Sequence, residues 1–311
     1  SGRWNVFEAG RVLRMAMRRD TLYGDLFFER KDYTQIHLES GRLEKVEEAH
    51  DSGTGIRIIV PWKTFYASTN ALDEKNLMDI ARNLGSASGG TGHFLLPSTE
   101  FMSGVYDFSI GIDPRSVGLR EKVDLVRGLE AMIRKMEKRV KQVRAIYRDS
   151  CQFVRIENSL GATVEDTRTQ VVVSLLIVGE KNGDVQTAYE AIGGFSGFDF
   201  FTVERIEEVA AKTVRRLAGL LDAVEAPMGK KTVVLASEAG GTMIHEAIGH
   251  GLEADLALEG LSCYKEKIGE HIASPLIDIV DDATVPNLRG TYAYDDEGVA
   301  AERTVLVEKG V

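Results

Sequence analysis

"TVEDTRTQVVVSLLIVGEKNGDVQTAYEAIGG", residues 163–194, is the stretch whose reading decides the fold. Its apolar centre, Val171–Val178, has the length of a strand and falls far short of the ~20 residues that span a bilayer. Asn182-Gly183 follows, a favoured hairpin dipeptide because a tight two-residue turn takes positive φ at both central positions. The stretch therefore predicts two antiparallel strands. Towards the N-terminus, "QVRAIYRDS" and "CQFVRIENS" read as further strands, with turns at Asn158-Ser159 and Gly161. Flanking this block are two amphipathic helical patterns, "LREKVDLVRGLEAMIRKM" (Leu119–Met136) and "TVERIEEVAAKTVRRLAGLLDA" (Thr202–Ala223).

The first third of the chain has the same order of helix, strands and helix. Residues 4–19 carry Val6, Phe7, Leu13 and Met17 at helical spacing, up to Gly24. "LFFERKDYTQIHLES" alternates as a strand, Ser40-Gly41 reads as a turn, and "RLEKVEEAH" and "TGIRIIVPWKTFYAST" read as two further strands. A helix capped by Asn70 or Asp73 then runs to Leu84. The glycine-rich "GSASGGTGH" (Gly85–His93) lacks the Gly-Lys-Ser/Thr ending of a phosphate cradle and reads as a loop. After Pro227 come a buried-type strand, "KTVVLA" (Lys231–Ala236), a histidine-bearing segment and more short strands. The expected class is α+β, with antiparallel sheets flanked by helices. Three regions are expected: an N-terminal α+β domain over 1–114, a middle one over 115–226, and a region over 227–311 that starts an incomplete domain with a partial sheet.

Composition narrows the function. The 311 residues are 43% hydrophobic and 28% charged, with a formal net charge of −10. That balance disfavours a duplex nucleic-acid binder. The basic run "RKMEKRVKQVR" (Arg134–Arg144) reads as a solvated helix face entering a strand. Two cysteines, Cys151 and Cys263, are too few for a disulfide framework and suit a reducing compartment. The first residues lack the apolar core of a signal peptide. A soluble, cytoplasmic protein is expected, with no membrane association.

The chemistry lies in "TMIHEAIGHGLEADL" (Thr242–Leu256). His245 and His250 flank Glu246 but stand five apart. A regular helix turns about 100° per residue, so positions five apart diverge by about 140° and cannot share an ion. The two imidazoles converge only where the helix ends early or is widened by one residue in a π-bulge, a feature that gathers at functional sites. Ala247, Gly249 and Gly251 tolerate such a distortion, so an irregular helix is expected. Imidazole is a good zinc ligand, and a carboxylate beside it can take a proton from water and pass it to a leaving amine. His245 and His250 are thus candidate metal ligands, Glu246 the candidate catalytic base, and peptide hydrolysis the candidate reaction. Glu253 and Asp255, just downstream, could orient a ligating imidazole or simply be solvated.

The segment "HEAIGHGLEAD" resembles the TldD branch of the TldD/PmbA family of zinc-dependent metallopeptidases, also described as modulators of DNA gyrase. "GIRIIVPWKTFYASTNAL" is similar to the family's first-domain strand, and "RIENSLGATVEDTRT" to its middle-domain Asn-Ser-x-Gly and Asp-x-Arg stretch. Residues 267–311, with the "DDEG" turn at Asp295–Gly298, resemble its third domain. The resemblance implies that His245 and His250 bind zinc and that Glu246 is the base. It implies unfolded peptides as substrates, and assembly as a homodimer or with a sister subunit lacking the motif. It also implies a third ligand, a cysteine beyond Val311, so the chain is expected to be a truncated member. Cys263 does not match that cysteine, and His271 and Glu253 are fallback ligands. Two ligands alone should bind zinc weakly, leaving little or no activity in these 311 residues. Two competing readings are a non-enzymatic regulatory subunit of gyrase-modulator type with a vestigial motif, and an oligomeric scaffold.

Overall fold

A computed structural model of the chain describes residues 9–92, 94–98, 100–106 and 108–311. The start of the helix expected over 4–19 and the end of the glycine-rich stretch, His93, lie outside them. The chain divides into two compact units, Ser1–Ala223 with Ala283–Glu302, and Val224–Asp282 with Arg303–Val311.

The larger unit is built on seven strands: β1 (Tyr23–Glu39), β2 (Arg42–Val60), β3 (Lys63–Thr69), β4 (Glu100–Ser103), β5 (Val140–Asn158), β6 (Ala162–Lys181) and β7 (Asp184–Phe195). They form one sheet in the order β3-β2-β1-β5-β6-β4, with β7 also paired to β6. All pairs are antiparallel except β4 with β6. The hairpin expected at Asn182-Gly183 is present, both residues holding positive φ (53° and 86°) between Lys181 and Asp184. The α+β reading therefore holds, and helix, strands and helix occur twice along this unit.

Strand breaks differ from expectation in three places. Residues read as two strands on either side of Cys151 are one unbroken strand, β5, because no turn residue interrupts the alternation. "TGIRIIVPWKTFYAST" instead splits at Pro61-Trp62, where Pro lacks the N–H a ladder needs and Trp62 takes φ 68°. "RLEKVEEAH" and the "TGIRIIV" that follows it, read as separate strands, are one strand, β2.

Helix α1 (Ala9–Ala16) and α2 (Glu74–Ala87) pack against Leu26 and Phe28 of β1 and Ile56 and Ile58 of β2. Asp73 is the α2 cap, accepting from the Asn76 amide at 2.9 Å. Helix α3 (Leu119–Met136) and α4 (Val203–Leu221) bury Val126, Leu129, Ile133, Val209 and Leu217 against Ile36, Tyr147, Val173 and Leu175. Period-2 alternation puts Val171, Val173, Leu175 and Ile177 of β6 on this helix-covered face. Val164, Asp166, Arg168 and Gln170 point to the other face, where the 283–302 strap lies. The basic run Arg134–Arg144 is a charged surface as expected: Arg134 pairs with Glu130, Arg139 with Glu137 and Asp222, and Arg144 with Glu39.

The smaller unit holds α5 (Ser237–Ile244), α6 (Ala254–Glu259) and a two-stranded sheet, β8 (Ile279–Asp282) with β9 (Arg303–Val307). The strand expected over Lys231–Ala236 does not form. No strand among the described residues pairs with it, and a lone extended segment cannot satisfy its backbone, so Val233 and Val234 stay exposed. No helix among the described residues is long and apolar enough to cross a membrane.

Candidate metal centre

Helix α5 does not continue regularly. From His245 to Gly249 it widens into a π turn, with the His250 N–H reaching back to the His245 carbonyl, and His250–Leu252 then tightens into a 3-10 turn. The departure from regular winding required by the five-residue spacing is therefore present. Ile244, Ile248 and Leu252 face the small core formed with Ile279 and Val307, which anchors the irregular turn on the β8–β9 sheet. His245, Glu246 and His250 are left on the exposed side.

The two imidazole rings are 4.4 Å apart between centroids and inclined at 70°. One ligand-capable atom from each of His245, Glu246 and His250 lies within 4.8 Å of the others. His250 Nε2 stands 3.9 Å from Glu246 Oε2. Its other nitrogen, Nδ1, is 2.7 Å from Glu253 Oε1. A carboxylate accepting from Nδ1 fixes the ring's tautomer and orientation and leaves the lone pair on Nε2, the nitrogen nearer Glu246. Two imidazoles converging with a carboxylate, one ring already braced from behind, form a donor set that fits zinc.

The other candidates are placed apart from this group. Asp255 accepts from the Leu256 amide at 2.8 Å, in the first turn of α6, and orients no ring. Cys263 is a free, exposed thiol, and neither it nor His271 belongs to the converging group among the described residues. Gly249 has ordinary right-handed backbone (φ −52°, ψ −58°), so its conformation does not demand glycine. Gly251 is different: a Cβ there would lie 2.6 Å from the Tyr264 ring. Tyr264 and its neighbour Ser262 contact the backbone of the turn, and no spacing rule in the sequence pointed to either.

Three family descriptions match in chain order: PmbA/TldA metallopeptidase domain 1 over residues 24–88, the central domain over 112–221, and the C-terminal domain over 228–311. A metalloprotease TldD homolog of Haemophilus influenzae is 32% identical over 307 residues, covering 96% of this chain and 64% of the relative. A zinc metalloprotease TldD homolog of Saccharolobus solfataricus is 24% identical, covering 97% of this chain and 66% of the relative. The crystal structure of TldE from Thermococcus kodakarensis superposes with a TM-score of 0.77 at 16% identity, covering 98% of this chain and 68% of that one. The chain thus spans less than two thirds of the length of the Haemophilus protein.

Proposed function

The chain belongs to the PmbA/TldD family, and from that premise we propose that it is a zinc-dependent peptidase acting on extended, unstructured peptides. His245 and His250 would hold the metal, through Nε2 in the case of His250. A zinc ion held there would supply Lewis acidity and would lower the pKa of a bound water to about 7. The observation that carries the reading is the π turn, which spends helical regularity to bring two rings to 4.4 Å. It places Glu246 beside them with its carboxylate exposed.

Glu246 takes a proton from the attacking water as its oxygen bonds to the peptide carbonyl carbon. The same carboxyl returns that proton to the amine nitrogen as the C–N bond breaks. Glu253 keeps the His250 ring in place throughout, through its bond to Nδ1. An extended substrate suits the surroundings. The motif packs through Ile248 directly on β8 and β9, and among the described residues those two strands pair only with each other. A bound strand can add its backbone to such an open edge. Assembly as a homodimer or with a sister subunit belongs to the same reading.

The test is hydrolysis of casein, an unfolded protein, by a zinc-loaded form of the length of its relatives. Turnover should stop on chelation, and it should stop in Glu246→Gln while that variant still binds zinc. Activity that survives either change rules the reading out.

A further inference from the structure

A π turn is rare, and something must hold the extra residue in place. The core contacts of Ile244, Ile248 and Leu252 secure one side of it. The other side is met by a short loop after the glycine that ends α6, Gly260. From this loop, Tyr264 donates its hydroxyl to the Ala247 carbonyl inside the π turn at 2.9 Å. Ser262 donates its hydroxyl to the Gly251 carbonyl, just past His250. The Ser262 oxygen in turn accepts from the Tyr264 amide at 3.0 Å, which ties the two together. The tyrosine ring lies against Gly251, in space a Cβ would fill. The two hydroxyls thus grip carbonyls on either side of His250.

From this we infer that Ser262 and Tyr264 are positioning residues that hold the widened turn and so set the spacing of the His245 and His250 rings. Among the described residues, neither hydrogen-bonds to a histidine ring or to the Glu246 carboxylate. Their effect passes through the backbone alone, by supplying partners where the handover from π to 3-10 winding interrupts the regular hydrogen-bond ladder. The link to metal binding rests on the proposed role of the two histidines. The grip on the turn does not.

The experiment uses the whole chain in four forms: unchanged, Ser262→Ala, Ser262→Thr and Tyr264→Phe. Two quantities are read. The first needs no metal: exchange of the His250 amide hydrogen, whose acceptor is the His245 carbonyl. The second is zinc affinity, by competition with a chromophoric chelator. Ser262→Ala and Tyr264→Phe should each speed His250 exchange severalfold and weaken zinc binding about tenfold, at the low end of what supporting groups contribute. Ser262→Thr keeps the hydroxyl and should restore both. Unchanged His250 exchange in both loss variants overturns the inference. So does a loss of protection spread evenly over β8 and β9, the mark of a general loss of fold. If the unchanged chain binds zinc too weakly to titrate, as two ligands alone predict, the exchange data by themselves decide whether these residues hold the turn.

Discussion

The hydrogen bond between Glu253 and His250 Nδ1 decides which nitrogen of that ring is left free, so a residue three positions downstream sets the ring's orientation. Glu253→Ala should weaken zinc binding about 10–100-fold, the usual cost of losing such a partner, while leaving the fold intact because the pair is half-exposed. A zinc titration of the variant checks this, and an unchanged affinity would mean the ring is oriented by something else. The irregular winding and the convergence of the two rings are legible in the sequence up to this point. A five-residue gap between two histidines is incompatible with a shared ion on a regular helix, so the spacing itself called for the irregular backbone. Asp255 had an equal claim to Glu253 by position, but its carboxylate turns to the Leu256 amide at the start of α6. Ser262 and Tyr264 were not legible. Their partners are carbonyls 11 and 17 residues back, and a contact between a side chain and a remote backbone leaves no periodic trace.

Between elements, the most consequential group is buried where α3 crosses β1 and β5. Lys122, 1% exposed, pairs with Asp149 Oδ2 at 2.6 Å and donates to Thr34 at 2.8 Å. Asp149 also accepts from Tyr147 at 2.6 Å and from the Thr34 amide at 3.2 Å. Burial, then the neighbouring carboxylate, pushes the Tyr147 hydroxyl far above its usual range, so it stays a donor. Lys122→Met would strand the Asp149 charge, and breaking such a pair from one side costs about 3–5 kcal/mol. A fall of that size in urea denaturation is expected. At the entrance to α3, Asp113 gives a pH-dependent case. Its carboxyl is held below 3.8, first by the Arg115 side chain and also by the Arg115 amide, against some burial. A lowered folded-state pKa means stability that is present above pH 3.8 and lost as pH falls through the lower value. The group is 42% exposed, so screening limits the effect to a few tenths of a kcal/mol. Asp113→Asn should therefore melt slightly below the parent at pH 7, and the gap should narrow as pH falls below 3.8. At this scale, α3 and the Asn182-Gly183 hairpin were legible because apolar period and turn chemistry are local. The Lys231–Ala236 segment was misread because apolar content implies burial only where a partner exists to bury against.

At the scale of the whole molecule, residues 283–302 are the least predictable feature. They leave β8 at Asp282 and return to β9 at Arg303, residues that face each other in register, so the strap is an excursion from one small hairpin. Yet it belongs to the larger unit, lying on the sheet face opposite the helices. Alternation along β6 explains what it meets. Arg168 donates to the Tyr294 carbonyl at 2.7 Å and pairs with Asp296 at 2.8 Å, while Gln170 donates to the Arg289 carbonyl at 2.9 Å. Tyr106 donates to Asp166 and accepts from the Ala293 amide at 3.0 Å. The Asp295 carboxylate folds the "DDEG" turn back by accepting from the Glu297 and Val299 amides, both at 2.9 Å. In the sequence, Asp166 and Arg168 stand out only as the Asp-x-Arg of a family-like stretch, and nothing local reveals that the partners of Arg168 lie 126 and 128 residues further on. Arg168→Ala removes the two direct grips on the strap and also deprives the buried Asp166 carboxylate of its cation. Opening of the strap should follow, and Arg289, exposed within it, offers trypsin a cleavage point. Limited digestion of the variant should cut after Arg289 severalfold faster than the parent, with cleavage after Lys135 at the end of α3 unchanged as a control for global unfolding. Equal rates at Arg289 would show that Tyr106, Gln170 and the two Asn287–Phe195 bonds, one from the Asn287 side-chain amide, hold the strap without the arginine. In that case the strap is fastened along its length rather than at one residue.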